Sequence, residues 1–361
     1  MEDHSKINRR DFLRITAGMG AALTCPSIIT GCIFDKLPDV LDGYKPKVSS
    51  VWVSKDEQET YRAMFETMVR SATDINTWLS PGDRVFLKLA QNSPNPFPAT
   101  TDPWVLDCMI KLLRENGAGE ILVGDQSGIG YVNHTKTTQK GSSRECCNAS
   151  GLLDVITGNG ATPIFFEEAG YDAGYRPVHP TPPHHWGSTP VYITKAMDDI
   201  DHIIYLPRVA NHAIAGKTFG MKLPIGFLRD DARIFNLHLD LVNFYAKYVE
   251  LNFIPEIAAK RRLIVSSGRS LLTTNGPDEG VIVTPDQGLI FASEDLLAND
   301  LLASAWLEAN RTGGDEKIYY HPAVKRYMEI KGGRPEEVLW TQLNEHPDLT
   351  VPGYMERLLV V

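Results

Sequence analysis

A strand, a helix and a second strand in direct succession constrain the fold of this chain most strongly. RVFLKLA and EILVGDQSG have the composition of buried strands, and DPWVLDCMIKLLRENGAG lies between them with helical spacing of its apolar residues. Two strands that are joined through a helix by short connections run parallel in one sheet. The sequence therefore predicts an α/β class, a layered fold with a mixed or mainly parallel central sheet.

Capping residues mark the ends of two predicted helices. Asp102 as N-cap, Pro103 at the first helical position and Asn116-Gly117 at the end bound the helix just described. The later helix SEDLLANDLLASAWLEAN is predicted to have Ser293 as its N-cap. A further helix is predicted at KDEQETYRAMFETMVRSA, and further strands at VSSVWVS, ATPIFFEE, HIIYLP, RLIVSS and GLIFAS.

Residues 1–32 form a separate unit. The pair Arg9-Arg10 precedes the apolar stretch ITAGMGAALTCPSIIT, and together they resemble a twin-arginine export signal. The alternative, an amphipathic or core helix, is disfavoured because the stretch is shorter than the ~20 apolar residues that span a bilayer and is rich in glycine. We therefore predict the twin-arginine translocase as a partner, and a location in the periplasm or on the outer face of a bacterial membrane.

The end of this unit resembles a lipoprotein box. Small residues precede the cysteine in Ile29-Thr30-Gly31-Cys32, so we predict a lipid on Cys32 that anchors the protein to a membrane. Cleavage by a simple signal peptidase nearby is the alternative, with Cys32 an incidental thiol. The rest of the chain is divided into a tether at 33–50, an α/β domain at 51–312 and a C-terminal helical extension at 313–361.

Charge and cysteine content exclude some classes of partner and cofactor. The net charge of −9 and the absence of a basic stripe argue against nucleic acid as a partner. After Cys32 the chain contains Cys108, Cys146 and Cys147, which lack the spacing of iron–sulfur ligands, so no cofactor is identified. The adjacent pair is interpreted as small hydrophobic residues buried on a helix, with a thiol function as the alternative.

The proline- and histidine-rich segment HPTPPHHWGSTP lacks periodicity and is predicted to be a loop, functional or a lid in view of its length. Its histidines, His179, His184 and His185, are expected to face solvent, and metal binding is the alternative. The acidic pairs Glu167-Glu168 and Asp230-Asp231 are expected to lie on solvated faces, since adjacent side chains diverge. No metal site is predicted.

Ligands of open α/β sheets bind beyond the carboxyl ends of the strands. This rule selects the polar residues in and after the two strands of the opening unit. They are Lys88 with Gln91 and Asn92, and Asp125 with Gln126 and Ser127. Segments that start at Pro207 and at Ser266 follow two other predicted strands.

The segment LPRVANHAIAGKTFGMKLPIGFL contains Arg208, His212, Lys217 and Lys222 but no acidic residue. Its glycines allow the backbone to approach a ligand closely, and the spacing of its lysines fits a loop that enters a helix N-terminus, where backbone amides favour anions. We predict that this segment binds a small anionic ligand. The alternative is that both lysines are solvated and the histidine lies in the core.

The motifs VFLK, GEILVGDQSG, DHIIYLPRVANH, GKTFGMK, TTNGPDEG and FASEDLLANDLLA follow one another in an order that resembles the bacterial and archaeal domain-of-unknown-function family 362, over roughly residues 50–310. The resemblance implies that the family's signature positions are occupied here by Lys88, Asp125, His212, Lys217, Lys222, Asn275, Gly276 and Asp300. It implies no reaction, because the family's activity is largely unassigned. Some relatives have ferredoxin-type cysteines, which this chain lacks.

The sequence also departs from the family pattern. KLAQN replaces the lysine-Pro-Asn of relatives, Arg208 and Asn211 stand where lysine and threonine are common, and Lys222 is not followed by asparagine. Ser267 stands where an aspartate is frequent, so an activity that depends on that aspartate would be lost or altered here.

Mechanism is predicted only by class. Lysines and an arginine hold a carboxylate or phosphate, His212 is expected to titrate near neutrality and to move a proton, and Asp125 or Asp300 is expected to orient a cation or the histidine. We predict acid/base or redox-associated chemistry on a small anionic metabolite. A non-catalytic periplasmic binding or accessory lipoprotein, and a purely structural surface lipoprotein, stay open as alternatives.

Overall fold

The computed structural model of the protein describes residues 46–54, 61–188, 190–311, 321–331 and 339–342. The predicted export signal, the Cys32 anchor and residues 33–45 of the predicted tether lie outside the described residues. Within the described ranges, no helix combines the length and the apolar character that a membrane span requires.

The strands lie in one large sheet and two small hairpins. In chain order they are β1 (Lys47–Ser54), β2 (Arg84–Leu89), β3 (Glu120–Asp125), β4 (Asn133–His134), β5 (Gln139–Lys140), β6 (Thr162–Phe165), β7 (Tyr175–Val178), β8 (Val191–Thr194), β9 (His202–Leu206), β10 (Arg208–His212), β11 (Gly216–Thr218), β12 (Arg261–Leu272), β13 (Ile282–Val283), β14 (Gln287–Ser293) and β15 (Leu339–Gln342).

The α-helices are α1 (Arg62–Ala72), α2 (Pro103–Glu115), α3 (Ser143–Ala149), α4 (Leu152–Gly158), α5 (Phe244–Glu250), α6 (Pro255–Ala258), α7 (Leu296–Ala309) and α8 (Pro322–Lys331). Short 3-10 helices occupy Ile75–Thr77, Phe166–Ala169, Lys195–Met197, Gly220–Phe227 and Leu251–Phe253, and a π-helix occupies Ala232–His238.

The central sheet is mixed and mainly parallel, so the predicted α/β layered fold is confirmed. Its order is β15-β1-β14-β12-β9-β2-β3-β6, with β10 also paired to β12. The run from β12 through β9, β2 and β3 to β6 is parallel, whereas β14 is antiparallel to both β1 and β12. The parallel strands therefore end at one common edge, where polar segments follow them.

Two apolar layers cover the faces of the sheet, because successive side chains of a strand point to opposite sides. In β2, Val85 and Leu87 pack with α1 and α2 on one face, whereas Phe86 packs on the other face with α5, α7 and the 3-10 helix Gly220–Phe227. Lys88 lies two residues after Phe86 in β2, so its side chain is on the same face of the sheet as Phe86. Its ammonium therefore points into the second layer, where it lies 5.3 Å from the centre of the Phe227 ring.

The capping signals of α2 were predicted correctly. Asp102 accepts a hydrogen bond from the Trp104 N–H as the N-cap, Pro103 is the first helical residue, and Asn116 is the C-cap. In α7 the N-cap is Asp295 and not the predicted Ser293, because Asp295 accepts the Ala298 N–H at 2.8 Å. The Ser293 hydroxyl instead accepts the N–H of Asp295.

Two predicted boundaries differ from the structure. β1 begins at Lys47, inside the predicted tether, and pairs with both β14 and β15. The C-terminal extension contains the strand β15 of the central sheet as well as the helix α8, so it is not solely helical, and Tyr327 and Met328 of α8 are buried in the core.

The segment from Arg208 to Thr218 was predicted as a loop but forms the strands β10 and β11. Pairing of β10 with β12 supplies the backbone partners that an isolated loop would lack. The lysine-bearing segment that follows is a 3-10 helix with Pro224 inside it.

Candidate functional site

An open cleft lies at the edge of the sheet where β2, β3 and β9 end. The residues that line it include Gln91, Asn92, Asp125, Gln126, Arg208, Thr218, Lys222, Gly226 and Arg233. The rule that selected the carboxyl ends of the strands therefore located this cleft. The side chains come from both the strand ends and the basic segment after β9.

A buried ion pair forms the floor of the cleft. Lys88 Nζ lies 2.5 Å from Asp125 Oδ1, and both side chains are almost fully buried. The ammonium also donates to the Leu89 carbonyl, and the carboxylate accepts the N–H groups of Gln126 and Gln91 at 2.8 and 3.0 Å. Burial lowers the pKa of Lys88, and the Asp125 charge opposes that shift. Because Lys88 is already paired, it is unavailable to a ligand.

Gly226 permits the floor to pack this closely. A Cβ atom at Gly226 would lie 1.9 Å from Asp125 Oδ1 and 2.6 Å from Lys88 Nζ. The backbone of the 3-10 helix therefore covers the ion pair, and only glycine leaves room for both charged atoms.

Arg208 at the start of β10 forms one wall. Its side chain is buried, and Nη1 donates to the carbonyls of Pro277 and Pro98 at 2.6 and 3.4 Å. Nε and Nη2 make no hydrogen bond to the described residues, and none of the described carboxylates accepts a hydrogen bond from this guanidinium. Burial lowers the pKa of Arg208 to about 10, so the group is charged at neutral pH.

The turn that carries Pro277 depends on Asn275 and Gly276. Both have positive φ, 55° and 52°, and a Cβ at Gly276 would lie 2.0 Å from the Asn211 carbonyl oxygen. Neither residue lines the cleft, although both were predicted to bind the ligand. Their effect is indirect, since they place the Pro277 carbonyl against Arg208 and the Asp278 carboxylate against the Asn92 amide.

Lys222 is the cation that is exposed to the cleft. It is half-buried on the 3-10 helix and makes no hydrogen bond or ion pair to any side chain or carbonyl in the described ranges. Burial, followed by the charges of Arg208 and Arg233, lowers its pKa to about 7, while Asp278 and Asp125 oppose the shift. Near neutral pH this side chain is therefore divided between ammonium and free amine.

Arg233 completes the cationic lining, and sequence analysis missed it. It lies on the π-helix, its Nη2 donates to the Ser127 carbonyl at 2.9 Å, and its Nη1 lies 3.4 Å from Asp230 Oδ1. Its Nε is buried and has no hydrogen-bond partner. The adjacent pair Asp230-Asp231 was read as solvated, so no signal in the sequence marked this region as part of the site.

The expectation for Asp230 is wrong, because its side chain is only 2% exposed. Its carboxylate accepts the Gln126 amide at 2.9 Å and the His134 N–H at 2.6 Å, and it thereby fixes Arg233. The predicted ligand residue Ser127 is buried beneath Arg233 and contacts it through its carbonyl. Glu167, also expected to be solvated, is buried against the Ser143 N–H.

Lys217 does not reach the cleft. Its ammonium donates to Ser304 Oγ at 2.7 Å and lies 3.3 Å from Glu308 Oε1, where all three side chains are buried. It lines a small neighbouring cavity together with Asp300 and Tyr248, and Lys222 borders both this cavity and the cleft. The two lysines of GKTFGMK therefore face different surroundings, contrary to the prediction of a shared site.

His212 and Asp300 were predicted to be catalytic, yet neither lines the cleft. His212 Nδ1 accepts the N–H groups of Ile214 and Ala215, and burial lowers its pKa well below 6.5, so the expected titration near neutrality does not occur. Asp300 accepts the Gly220 and Met221 N–H groups at 3.0 and 2.9 Å and thus holds the start of the 3-10 helix. Burial raises its pKa to about 7.

The other candidate groups lie elsewhere. His179 and His185 are exposed, and His185 Nδ1 lies 2.6 Å from Glu250 Oε1. Among the described residues, no cluster of three or more His, Cys, Asp or Glu side chains is placed to hold a metal ion. Cys146 and Cys147 are buried on α3 as interpreted, and burial raises the pKa of Cys147 to about 12.

Comparison with known proteins gave one family and distant structural likenesses. The family model of the Domain of unknown function (DUF362) matches residues 85–305, more than half of the chain. A comparison with curated proteins found no match.

Two solved structures resemble parts of this chain at 13% identity. The lactate racemase apoprotein from Thermoanaerobacterium thermosaccharolyticum has a TM-score of 0.42, covering 71% of this chain and 55% of that chain. A protein from Thermotoga maritima has a TM-score of 0.38, covering 60% and 52%. This chain thus spans about half the length of each structure.

Proposed function

This chain belongs to the Domain of unknown function (DUF362) family, whose description names no activity. We therefore infer its function from the residues of the cleft. We propose that the cleft binds a small anion that carries a carboxylate, sulfate or phosphate group. The observation that carries this proposal is the lining by Arg208, Lys222 and Arg233, two of which lack a hydrogen-bonded carboxylate.

The charge distribution supports an anion and not a cation. A buried or half-buried cation without a partner is costly, and a ligand oxygen would supply the missing acceptor. Lys222 Nζ, and Nε and Nη2 of Arg208, make no hydrogen bond in the described part of the chain, and both side chains line the cleft. Arginine and lysine side chains are the usual protein partners of carboxylate and phosphate groups.

Replacing Lys222 with methionine is expected to weaken sulfate binding by about 10- to 100-fold, the range of a lost hydrogen bond between charged groups. Isothermal titration calorimetry and thermal-shift assays would measure the affinity for sulfate, since a bound ligand raises the stability of the folded state. Lys140→Met removes the same charge from an exposed site and is the matched control. Equal affinities of both variants for sulfate would overturn the proposal.

The same lysine is expected to make the affinity for sulfate depend on pH. An anion favours the ammonium form, so affinity is highest below pH 7 and falls by at most about tenfold per pH unit above it. The charged or titratable side chains that act on Lys222 are Arg208, Arg233, Asp125, Asp278, His212 and His238. Both histidines have pKa values lowered below the titrated range, and Arg208 has its pKa near 10.

Asp300 of the neighbouring cavity also has a pKa near 7, and its ionisation would act in the same direction. Lys222→Arg separates the two contributions, because arginine stays charged over the whole range. This variant is expected to keep the affinity measured at pH 6 and to lose most of its decline at pH 8. An unchanged decline would assign the pH dependence to Asp300 and not to Lys222.

We also propose that the protein is exported through the twin-arginine route and anchored by a lipid on Cys32. The Arg9-Arg10 pair and the Ile29-Thr30-Gly31-Cys32 sequence support this. We expect the full chain to sediment with membranes after expression in a bacterium. Cys32→Ala should release it, and an Arg9→Lys/Arg10→Lys variant should stay in the cytoplasm. Membrane association of both variants would contradict the proposal.

A further inference from the structure

Three lysines, Lys88, Lys217 and Lys222, occupy signature positions of the family. Only the amine of Lys222 is without a hydrogen-bond or ion-pair partner among the described residues. Lys88 Nζ is 2.5 Å from Asp125 Oδ1 and donates to the Leu89 carbonyl. Lys217 donates to Ser304 Oγ and lies against Glu308. The nitrogen of Lys222 makes no hydrogen bond or ion pair to the described residues and borders two cavities.

The surroundings of Lys222 also favour its neutral form. Burial and the two neighbouring guanidinium groups lower its pKa to about 7, so the neutral amine with its free lone pair is accessible near neutral pH. A desolvated lysine beside another cationic group is a recognised way of activating an amine as a nucleophile. Passive binding of an anion does not require a free amine, since a permanently charged side chain would bind it more tightly.

We propose that the Lys222 amine is a nucleophile that forms an imine with the carbonyl group of a small 2-oxo acid, whose carboxylate lies against Arg208 and Arg233. This inference rests on the proposed anion site, since the two arginines hold the carboxylate. Arg208 offers Nε and Nη2, which make no hydrogen bond to the described residues, and Arg233 adds its positive charge to the lining of the same cleft. The carbonyl carbon of a 2-oxo acid is bonded directly to the carboxyl carbon, so an amine beside the carboxylate faces the reactive atom.

The step is balanced without an oxidant or reductant. The lone pair of the neutral amine forms the new C–N bond, the carbonyl oxygen takes up a proton, and the nitrogen loses one. The C–O bond of the carbinolamine then breaks as the hydroxyl takes a second proton and leaves as water, and the nitrogen forms the C=N bond and releases its second proton. The net change is a ketone and a primary amine to an imine and one water, exchanged with solvent through the open cleft.

Reductive trapping tests this directly on the full chain. We would incubate the protein with 2-oxobutanoate and sodium cyanoborohydride, which adds hydride to the imine carbon and leaves a stable secondary amine. The intact mass should rise by the mass of 2-oxobutanoic acid less one oxygen atom, and peptide mapping should place the adduct on Lys222. Butanone lacks the carboxylate and should give little adduct, and 2-hydroxybutanoate lacks the carbonyl and should compete without reacting.

Variants separate the nucleophile from the anion site. Lys222→Arg retains the charge but has no primary amine, so it should still bind 2-hydroxybutanoate and give no adduct. Binding of 2-oxobutanoate without an adduct on Lys222, or adducts spread over exposed lysines such as Lys140, would overturn the nucleophile and leave the anion site standing. Failure to bind either acid would also overturn the 2-oxo acid as ligand, and failure to bind sulfate as well would remove the anion site.

Discussion

Replacing Asp125 with alanine is expected to lower the free energy of unfolding by about 3–5 kcal/mol, the cost of leaving a buried charge unpaired. Lys88 has no exposed side-chain surface, and its other hydrogen-bond acceptor is the Leu89 carbonyl. The substitution also removes the acceptor of the Gln91 and Gln126 N–H groups. Urea unfolding followed by circular dichroism would measure the loss, with an unchanged m-value as evidence that the folded state is otherwise preserved.

Asp107→Ala is the matched control for this prediction. Asp107 pairs with Lys111 one helical turn away at 2.7 Å and accepts the Asn159 amide at 2.9 Å, but 30% of the Asp107 and 40% of the Lys111 side chain are exposed. Solvated pairs of this kind contribute at most about 0.5 kcal/mol. In addition, Lys88→Met should lower the free energy of unfolding much less in the Asp125→Ala variant than in the parent protein. The reason is that the ion pair between the two residues is already absent in that variant. A loss for Asp125→Ala as small as the control's would contradict the role of this ion pair.

Replacing Gly226 with alanine is expected to damage both the stability and the anion site. The new methyl group would lie 1.9 Å from Asp125 Oδ1 and 2.6 Å from Lys88 Nζ, so either the ion pair or the 3-10 helix must move. Overpacking of this kind costs about 1–3 kcal/mol. Because the same helix carries Lys222, we also expect the stabilisation by sulfate to be lost, as measured by thermal shift.

Gly158→Ala is the control for this substitution. Gly158 ends α4 at an exposed position, and a Cβ there would contact nothing within 4 Å. Alanine is favoured over glycine in helices by up to about 1 kcal/mol, so this variant should be as stable as the parent or slightly more stable. If Gly226→Ala matched it in stability and in its response to sulfate, the close packing against the ion pair would be disproved.

The structure separates the candidate site into parts that could be predicted and parts that could not. Lys88, Asn92 and Asp125 could be selected because each lies in or directly after an apolar strand, and parallel strands end at one edge. Arg208 and Lys222 could be selected because they stand out in a segment without acidic residues. These five residues line the cleft or form its floor.

Arg233 could not be selected, because the partners that hold it are distant in sequence. Its guanidinium is fixed by the Ser127 carbonyl and by Asp230, which itself is held by Gln126 and His134. Such a network depends on which loops meet in space. The same holds for Lys217, whose partner Glu308 lies on a helix at the far end of the chain.

The sequence by itself determined the layered α/β fold, because alternation of apolar side chains, apolar runs and capping residues are local features that act within one strand or helix. It also determined which strand ends carry polar groups. Only the tertiary structure decided which cations remain available to a ligand. The charge state and the partner of a buried side chain depend on groups that folding brings near it, so Lys88 and Lys217 are paired whereas Lys222 faces the cleft without a hydrogen-bonded partner in the described ranges.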